Sequence, residues 1–229
     1  MESAPSFLNH TFNDGGFLLK KSIVLIALLT LLFGCSSNVN NSSASEKENQ
    51  TENDYLADYP PNPQVTDDRS LLEVGQVVID EKGEATLKSI NHVNATYTIG
   101  PIELRLKDMK VINLRPDYSL VDYFHVLTHN EKFNFVKLFI EIENTSEDKV
   151  NFAPIAIIET NTGEKFDWEK DIYLDALNGE IEGNKTKEGN LGFIIEQAKD
   201  LKWIVVKTSD VFDKNGIKMH DSQTVKIKF

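Results

Sequence analysis

Most of the chain alternates between short apolar runs and turn residues, a texture typical of β-strands. The clearest run is FVKLFIEIE at residues 135–143, where aliphatic side chains take every second position from Val136 to Ile142 and Lys137 and Glu141 lie between them. Such alternation places one apolar face against a core and leaves the other face polar. About eight or nine short runs of this kind, each followed by turn residues, predict an all-β sandwich.

Two stretches depart from this pattern and predict one or two short helices. Residues 118–128 (YSLVDYFHVLT) follow Pro116-Asp117 and carry apolar residues at helical spacing. Residues 171–177 are short enough to form a single helical turn. Near the C-terminus, DKNG at residues 213–216 has the composition of a hairpin turn. No internal repeat and no second domain are evident, so we expect one folded domain at residues 71–229.

The N-terminal part contains the most apolar segment of the chain. Lys20 and Lys21 precede an apolar run over residues 23–33, which ends at Gly34 and Cys35. A basic start, an apolar run of about 7–15 residues and a small residue at the cleavage site describe a secretory signal. The run is shorter than the roughly 20 residues that a transmembrane helix needs. Residues 1–34 are therefore predicted to be a signal peptide.

The end of this segment, Leu32-Phe33-Gly34-Cys35, resembles the lipobox of bacterial lipoproteins. The resemblance implies that Cys35 receives a diacylglyceryl group and becomes the mature N-terminus, anchored to the membrane by two acyl chains. Phe33 departs from the small or β-branched residue usual at its position. The alternatives are a plain signal peptide, or a buried helix that carries a stray cysteine.

The segments on either side of the apolar run are polar. Glu2 and Asp14 lie where a signal peptide is normally basic, so we hypothesise that residues 1–18 are an extension upstream of the true translation start. Residues 35–70 are rich in Ser, Asn, Asp and Glu and nearly devoid of aliphatic side chains. Such a composition does not bury enough surface to offset chain entropy, which predicts a disordered acidic stem.

Charge and cysteine content exclude several classes of function. The formal net charge is -12 at pH 7, without clustered Lys and Arg, which excludes nucleic acid as the expected partner. The chain has one cysteine, which excludes an internal disulfide and multi-cysteine metal sites.

The sequence IEIENTSEDKV at residues 140–150 runs from an alternating strand into a polar turn, and EGNLGF at residues 188–193 begins another strand. These features resemble the telokin-like, immunoglobulin-like domains of unknown function found in lipoproteins of Gram-positive bacteria. The resemblance covers roughly residues 71–229 and implies an immunoglobulin-like β-sandwich on the outer face of the cell membrane. It implies no catalytic residues, and residues 108–132 are longer than the corresponding connection in that family.

Two groups of side chains are candidates for chemistry or recognition. Asp122, His125 and His129 would share one face of a helix, and a His-x-x-x-His pair can hold a divalent metal ion. The alternative is a pair of partly exposed histidines on an amphipathic turn. Tyr118, Tyr123 and Phe124 are the candidates for an interaction surface, and the alternative is a helix packed on the end of the sandwich.

These observations predict a non-enzymatic lipoprotein without a cofactor, held outside the cell membrane by its lipid and binding an envelope protein or ligand. The sequence contains neither a Gly-x-Ser-x-Gly motif nor a glycine-rich phosphate loop, and lipidation would consume the thiol of Cys35. The alternative is a cell-envelope enzyme or a metal-binding protein that uses Asp122, His125 and His129.

Overall fold

The computed structural model describes Tyr59 and residues 61–229, so the predicted signal peptide and Cys35 lie outside the described residues. The prediction of a mostly β chain is confirmed. The described strands are β1 (Val77–Asp80), β2 (Gly83–Ile99), β3 (Ile102–Pro116), β4 (Phe133–Asn144), β5 (Val150–Phe152), β6 (Ile157–Thr160), β7 (Lys165–Asp167), β8 (Gly179–Ile181), β9 (Lys185–Ile195), β10 (Trp203–Lys207), β11 (Val211–Asp213), β12 (Lys218–His220) and β13 (Thr224–Lys228).

The strands form three antiparallel sheets. Sheet A has the order β1-β2-β3-β4-β9, sheet B the order β12-β11-β5-β8, and sheet C the order β13-β10-β6-β7. More strands are present than the alternation predicts because several have only three residues, too few to show a period of two. The predicted hairpin turn is confirmed, since β11 and β12 pair across residues 214–217.

A bulge in β3 decides which of its side chains face the main core. Before the bulge Leu104 and Leu106 face that core, and after it Met109 and Val111 do so, because Lys107 is an extra residue between the paired positions. An extra residue reverses the inward and outward alternation. Residues 102–106 and 111–114 therefore belong to one continuous strand.

The inner core lies between sheet A and the two smaller sheets. The shared face of Val136, Leu138, Ile140 and Ile142 is confirmed, and all four are fully buried in this core. Their partners on sheets B and C are Val150, Phe152, Ile158, Ile181, Ile204, Val206, Val211, Val225 and Ile227. This layered packing of apolar faces is the largest hydrophobic cluster of the described residues.

A second, outer core covers part of the opposite face of sheet A. It lies at the end where β3 finishes and β4 begins, and it includes Leu114, Phe133 and Phe135. Phe124 packs on Phe133 with ring centroids 5.0 Å apart. Elsewhere on this face Arg105 pairs with Glu103, Glu141 and Glu143 near solvent. Both faces of sheet A are therefore buried at one end, and only the other end keeps a polar outer face.

The predicted helix begins where expected but is shorter. A 3-10 turn at Tyr118–Leu120 leads into the α-helix α1 (Val121–His125), and the carboxylate of Asp117 caps the turn by accepting the amide hydrogen of Ser119. The predicted helical turn at residues 171–177 is wrong, because these residues form a loop. A 3-10 turn lies just before them, at Trp168–Lys170.

Among the described residues no helix is long and apolar enough to cross a membrane.

Candidate functional site

The first candidate region is an N-terminal strap, defined as Tyr59 and residues 61–71, which lies over the outer face of sheet A. Tyr59, Val65 and Leu71 are buried, and the latter two belong to the outer core. The predicted stem at residues 35–70 therefore needs correction, because its last residues are part of the fold. Polar composition was misleading here, since the buried polar residues of the strap find partners on the sheet.

Asp68 connects the strap to two lysines of sheet A. Its Oδ2 lies 2.9 Å from the Nζ of Lys110 and 2.8 Å from the Nζ of Lys137. Lys110 also donates to the backbone carbonyl of Asp68 at 2.9 Å. The two lysine side chains are 0 % exposed and that of Asp68 is 1 % exposed. One carboxylate thus bridges two ammonium groups that have no access to water.

The positions of the two lysines explain why the bridge is needed. Lys110 of β3 and Lys137 of β4 are directly opposite each other in the antiparallel register. Opposed like charges destabilise a sheet, and burial increases their repulsion. Asp68 lies between them, and Asp108 adds a second carboxylate, with Oδ1 4.0 Å from the Nζ of Lys137. The bulge at Lys107 places both Asp108 and Lys110 on this face.

The ionisation of the cluster follows from these contacts. Burial alone would raise the pKa of Asp68, but Lys137 and Lys110 outweigh it and hold the pKa at about 2. Burial alone would lower the pKa of Lys137, but Asp68 and Asp108 outweigh it and the pKa is raised. Asp68 is therefore ionised and Lys137 protonated near neutral pH, which suits a fastening role for the cluster and leaves Lys137 without a free amine for nucleophilic chemistry.

Other residues of the strap reinforce this attachment. The Tyr59 ring packs edge-on against Phe139 with centroids 5.5 Å apart, and the Nζ of Lys137 lies 5.4 Å from the Tyr59 centroid. Asn62 donates from its side chain to the backbone carbonyl of Tyr173 at 2.7 Å. The strap is thereby tied to β3, to β4 and to the loop at residues 171–177.

That loop covers the edge of β9. Asp171 accepts hydrogen bonds from the backbone amides of Gly192 at 2.8 Å and Tyr173 at 3.1 Å, and Asp175 accepts from the amide of Asn190 at 2.9 Å. Burial raises the pKa of Asp171 to about 6, although these backbone donors oppose the rise. Gly192 is required, because a Cβ there would lie 2.8 Å from atoms of Tyr173.

The second candidate region is a cavity of about 240 Å³ on the outer face of sheet B. Phe212, Asn151 and Glu180 occupy directly opposed positions on β11, β5 and β8, so they form one row across the sheet. The turn after β11 closes one side with Lys214 and Gly216. The full lining is Lys149, Val150, Asn151, Glu180, Phe212, Asp213, Lys214 and Gly216.

The acidic groups of this cavity are already engaged. Glu180 pairs with Lys149 at 3.0 Å, and Lys149 also pairs with Glu182 at 2.7 Å. Asp213 accepts from the backbone amides of Ile217 and Asn215, which lowers its pKa. The groups available to a ligand are therefore the Phe212 ring, the exposed Asn151 amide and the exposed Lys214 ammonium. Of these features, the amino-acid sequence alone predicts only the turn, because the row depends on pairing between distant strands.

The predicted metal ligands are not brought together as a site. α1 ends at His125, so His129 leaves the helical spacing on which the prediction rested. The rings of His125 and His129 have centroids 6.1 Å apart, and no three His, Cys, Asp or Glu side chains in the described part of the chain are grouped to hold a metal ion. The prediction of a metal site at Asp122, His125 and His129 is not supported by this geometry.

The predicted interaction residues separate into different environments. Tyr118 is 91 % exposed, whereas Phe124 is buried in the outer core. Tyr123 is half-buried and donates its hydroxyl hydrogen to the backbone carbonyl of Ile172 at 2.8 Å. Helical spacing did not distinguish these roles, because the helix packs one side against sheet A. Only Tyr118 is presented to solvent as expected.

Comparison with known proteins identifies two relatives, which cover 92 % and 68 % of this chain. The chain is 49 % identical over 236 residues to the uncharacterized protein YdhF of Bacillus subtilis, covering 92 % of this chain and all of YdhF. The chain belongs to the YdhF family. It is also 29 % identical over 159 residues to the SPbeta prophage-derived uncharacterized lipoprotein YonS of the same organism, covering 68 % of this chain and 71 % of YonS.

No model of a known protein family matches the chain. Solved structures with similarity include a functionally unknown protein from Listeria monocytogenes, at 17 % identity and a TM-score of 0.45 over 64 % of this chain and 87 % of that one. The yjhA protein from Bacillus subtilis is 14 % identical, with a TM-score of 0.38 over 60 % of this chain and 98 % of that one.

Proposed function

We propose that the chain is a lipid-anchored, non-enzymatic binding module on the outer face of the cell membrane. The observation that carries the anchoring is the Leu32-Phe33-Gly34-Cys35 sequence in a chain related to a lipoprotein. A diacylglyceryl group on Cys35 would supply two acyl chains, the number that stable anchoring requires. We further propose that the layered β domain is a variant of the telokin-like, immunoglobulin-like sandwich, with the strap as an addition.

Within this proposal the cavity on sheet B is the ligand site. It joins an aromatic ring, Phe212, to an uncharged hydrogen-bonding group, Asn151, and a cation, Lys214. Ligand pockets typically combine apolar surface with a few polar groups in this way. Catalysis needs convergent titratable groups with suitable pKa values. Here Glu180 is held by Lys149, and the pKa of Asp213 is lowered by its own turn, which favours binding over acid–base chemistry.

The anchoring is tested by the Cys35→Ser variant in the native host. We expect the parent chain, without the substitution, in the membrane fraction and labelled by a clickable fatty acid. The variant should be unlabelled and released or mis-sorted. The β domain of the variant should keep the thermal midpoint that it has in the parent chain, because Cys35 lies outside the described fold. A variant that is still lipid-labelled and membrane-bound would contradict the anchoring.

The ligand site is tested by photo-crosslinking on intact cells. A photoreactive amino acid at Asn151, in the cavity, is compared with one at Thr96, which is also exposed but lies on sheet A. We expect a discrete adduct from position 151 that disappears when Phe212 is changed to Ala, and none from position 96. Equal adducts from both positions, or adducts that persist in Phe212→Ala, would count against the cavity while leaving the anchoring intact.

A further inference from the structure

The edge strand β1 exposes aliphatic side chains in a way that the opposite edge of sheet A does not. Val77 is 54 % exposed and Ile79 is 72 % exposed, and Val74 just before them is 65 % exposed. At the other edge, residues 171–177 cover β9 and satisfy its amides. Edge strands are commonly protected by charge, proline or a covering segment, because their free backbone groups attract other strands.

The register shows which backbone groups of β1 are open. Leu87 of β2 donates to the carbonyl of Gln76, so these two residues begin the ladder as a hydrogen-bonded pair. Every second opposed pair after it is Val78 with Ala85 and then Asp80 with Gly83. Hydrogen-bonded positions alternate along an antiparallel ladder. The amide and carbonyl of Val78 and Asp80 therefore face β2, whereas those of Val77 and Ile79 face away from it. The two most exposed side chains of β1 thus belong to the residues that can pair with another strand.

We propose that a second copy of this chain pairs with β1, antiparallel about a two-fold axis at Val78. This register places Val77 opposite Ile79 of the second copy and Ile79 opposite its Val77, so the outward backbone groups of both residues are satisfied. The two sheets A become one continuous ten-stranded sheet across the dimer. Because the axis is normal to the sheet, the four exposed aliphatic side chains meet on one face.

Self-complementarity of this segment is what favours a second copy over another partner. In the register centred on Val78, the amide of Gln76 lies opposite the carboxylate of Asp80, and no like charges meet. Centring on Ile79 instead would keep only Ile79 opposite an apolar residue, its own copy, and would oppose Glu81 to Val77 and Asp80 to Val78. The strand sequence QVVID is therefore matched to its own reverse in one register.

The oligomeric state is measured on residues 35–229 with Cys35→Ser, a soluble chain that contains all described residues. Sedimentation velocity over a concentration series should show a monomer–dimer equilibrium. Ile79→Lys should raise the dimer dissociation constant by about tenfold or more, since a buried charge would face an apolar partner. Val126→Lys is the matched control, because Val126 is 80 % exposed elsewhere on the domain, and it should leave the constant unchanged.

The register has its own readout, because the Cys35→Ser chain has no other cysteine. Val78 would face its own copy at a position without ladder hydrogen bonds, where Cα atoms are about 4.5 Å apart and a disulfide can form. Val78→Cys should therefore give an oxidised covalent dimer, and Gln76→Cys should not. A monomer at every concentration, an unchanged constant in Ile79→Lys, or equal crosslinking at both positions would overturn the proposal.

Discussion

At the scale of single residues, Asp68 decides whether the outer face of sheet A is stable. It is the carboxylate that lies between Lys110 and Lys137. Removing one partner of a buried ionic cluster leaves uncompensated charge and costs about 3–5 kcal/mol. We expect Asp68→Ala to lower the free energy of unfolding by this amount in urea titrations.

A neighbouring carboxylate provides the control for this substitution. Asp67 pairs with Arg69 at 2.5 Å, but both side chains reach solvent. Exposed pairs contribute about 0–1 kcal/mol, so Asp67→Ala should have a small effect. Replacing Lys110 and Lys137 by Met in the Asp68→Ala background should recover part of the loss. Equal losses in Asp67→Ala and Asp68→Ala would show that the buried cluster has no special role.

Asp171 gives the molecule a pH dependence of opposite sign to that of Asp68. The pKa of Asp171 is about 6 in the fold, against 3.8 in the unfolded chain. As the pH falls from 7 to 5 the folded state binds a proton before the unfolded state does, so stability rises, by about 1 kcal/mol at pH 5. The pKa of Asp68 is depressed to about 2, and its contribution is lost only below pH 4.

The rise is tested by comparing chemical denaturation of the parent and of Asp171→Asn at pH 7 and pH 5. We expect the parent to gain stability over this interval relative to the variant, whose side chain does not titrate. Asp117→Asn serves as a control. Hydrogen bonds from Ser119 lower the pKa of Asp117, so this carboxyl group titrates below the interval. The same gain in Asp171→Asn as in the parent would assign the effect to another group.

At the scale of elements, the strap is the segment whose composition is most misleading. A chain that begins at residue 58 keeps the strap, whereas one that begins at residue 71 follows the boundary that polarity predicts. We expect the shorter chain to be unfolded or aggregated, because Lys110 and Lys137 would lose Asp68 and the outer core would lose Val65. Circular dichroism and light scattering of the two chains provide the comparison.

The outcome for each element follows from how local its determinants are. β4 was predicted correctly because one of its faces is uniformly aliphatic, and the α1 segment was located by its Pro116-Asp117 start. Lys137 was expected to face solvent, like any charged residue in an alternating strand, and it is instead fully buried. Its environment depends on a strap about seventy residues away in sequence, which no local pattern reports.

At the scale of the whole molecule, the two cores share sheet A and should unfold together. The chain contains two tryptophans, Trp168 beside the loop that covers β9 and Trp203 in sheet C. Trp203→Phe leaves Trp168, between β7 and the loop that covers β9, as the probe, and Trp168→Phe leaves Trp203 of β10 as the probe. For each variant, we expect the denaturant midpoint measured by fluorescence to coincide with the midpoint measured by circular dichroism, as for one cooperative unit. Separate fluorescence and circular-dichroism transitions would indicate that sheet C unfolds independently.

The sequence by itself determined the β class, the position of the short helix, the hairpin turn after β11 and the expectation of a lipid anchor at Cys35. These features depend on residues that are neighbours along the chain, such as alternating aliphatics or a lipobox. Tertiary structure decided which polar residues are buried, because Asp68, Lys110 and Lys137 come from three separate segments. It also decided where a cavity forms and which edge of sheet A stays open, since both depend on strand order and register rather than on composition.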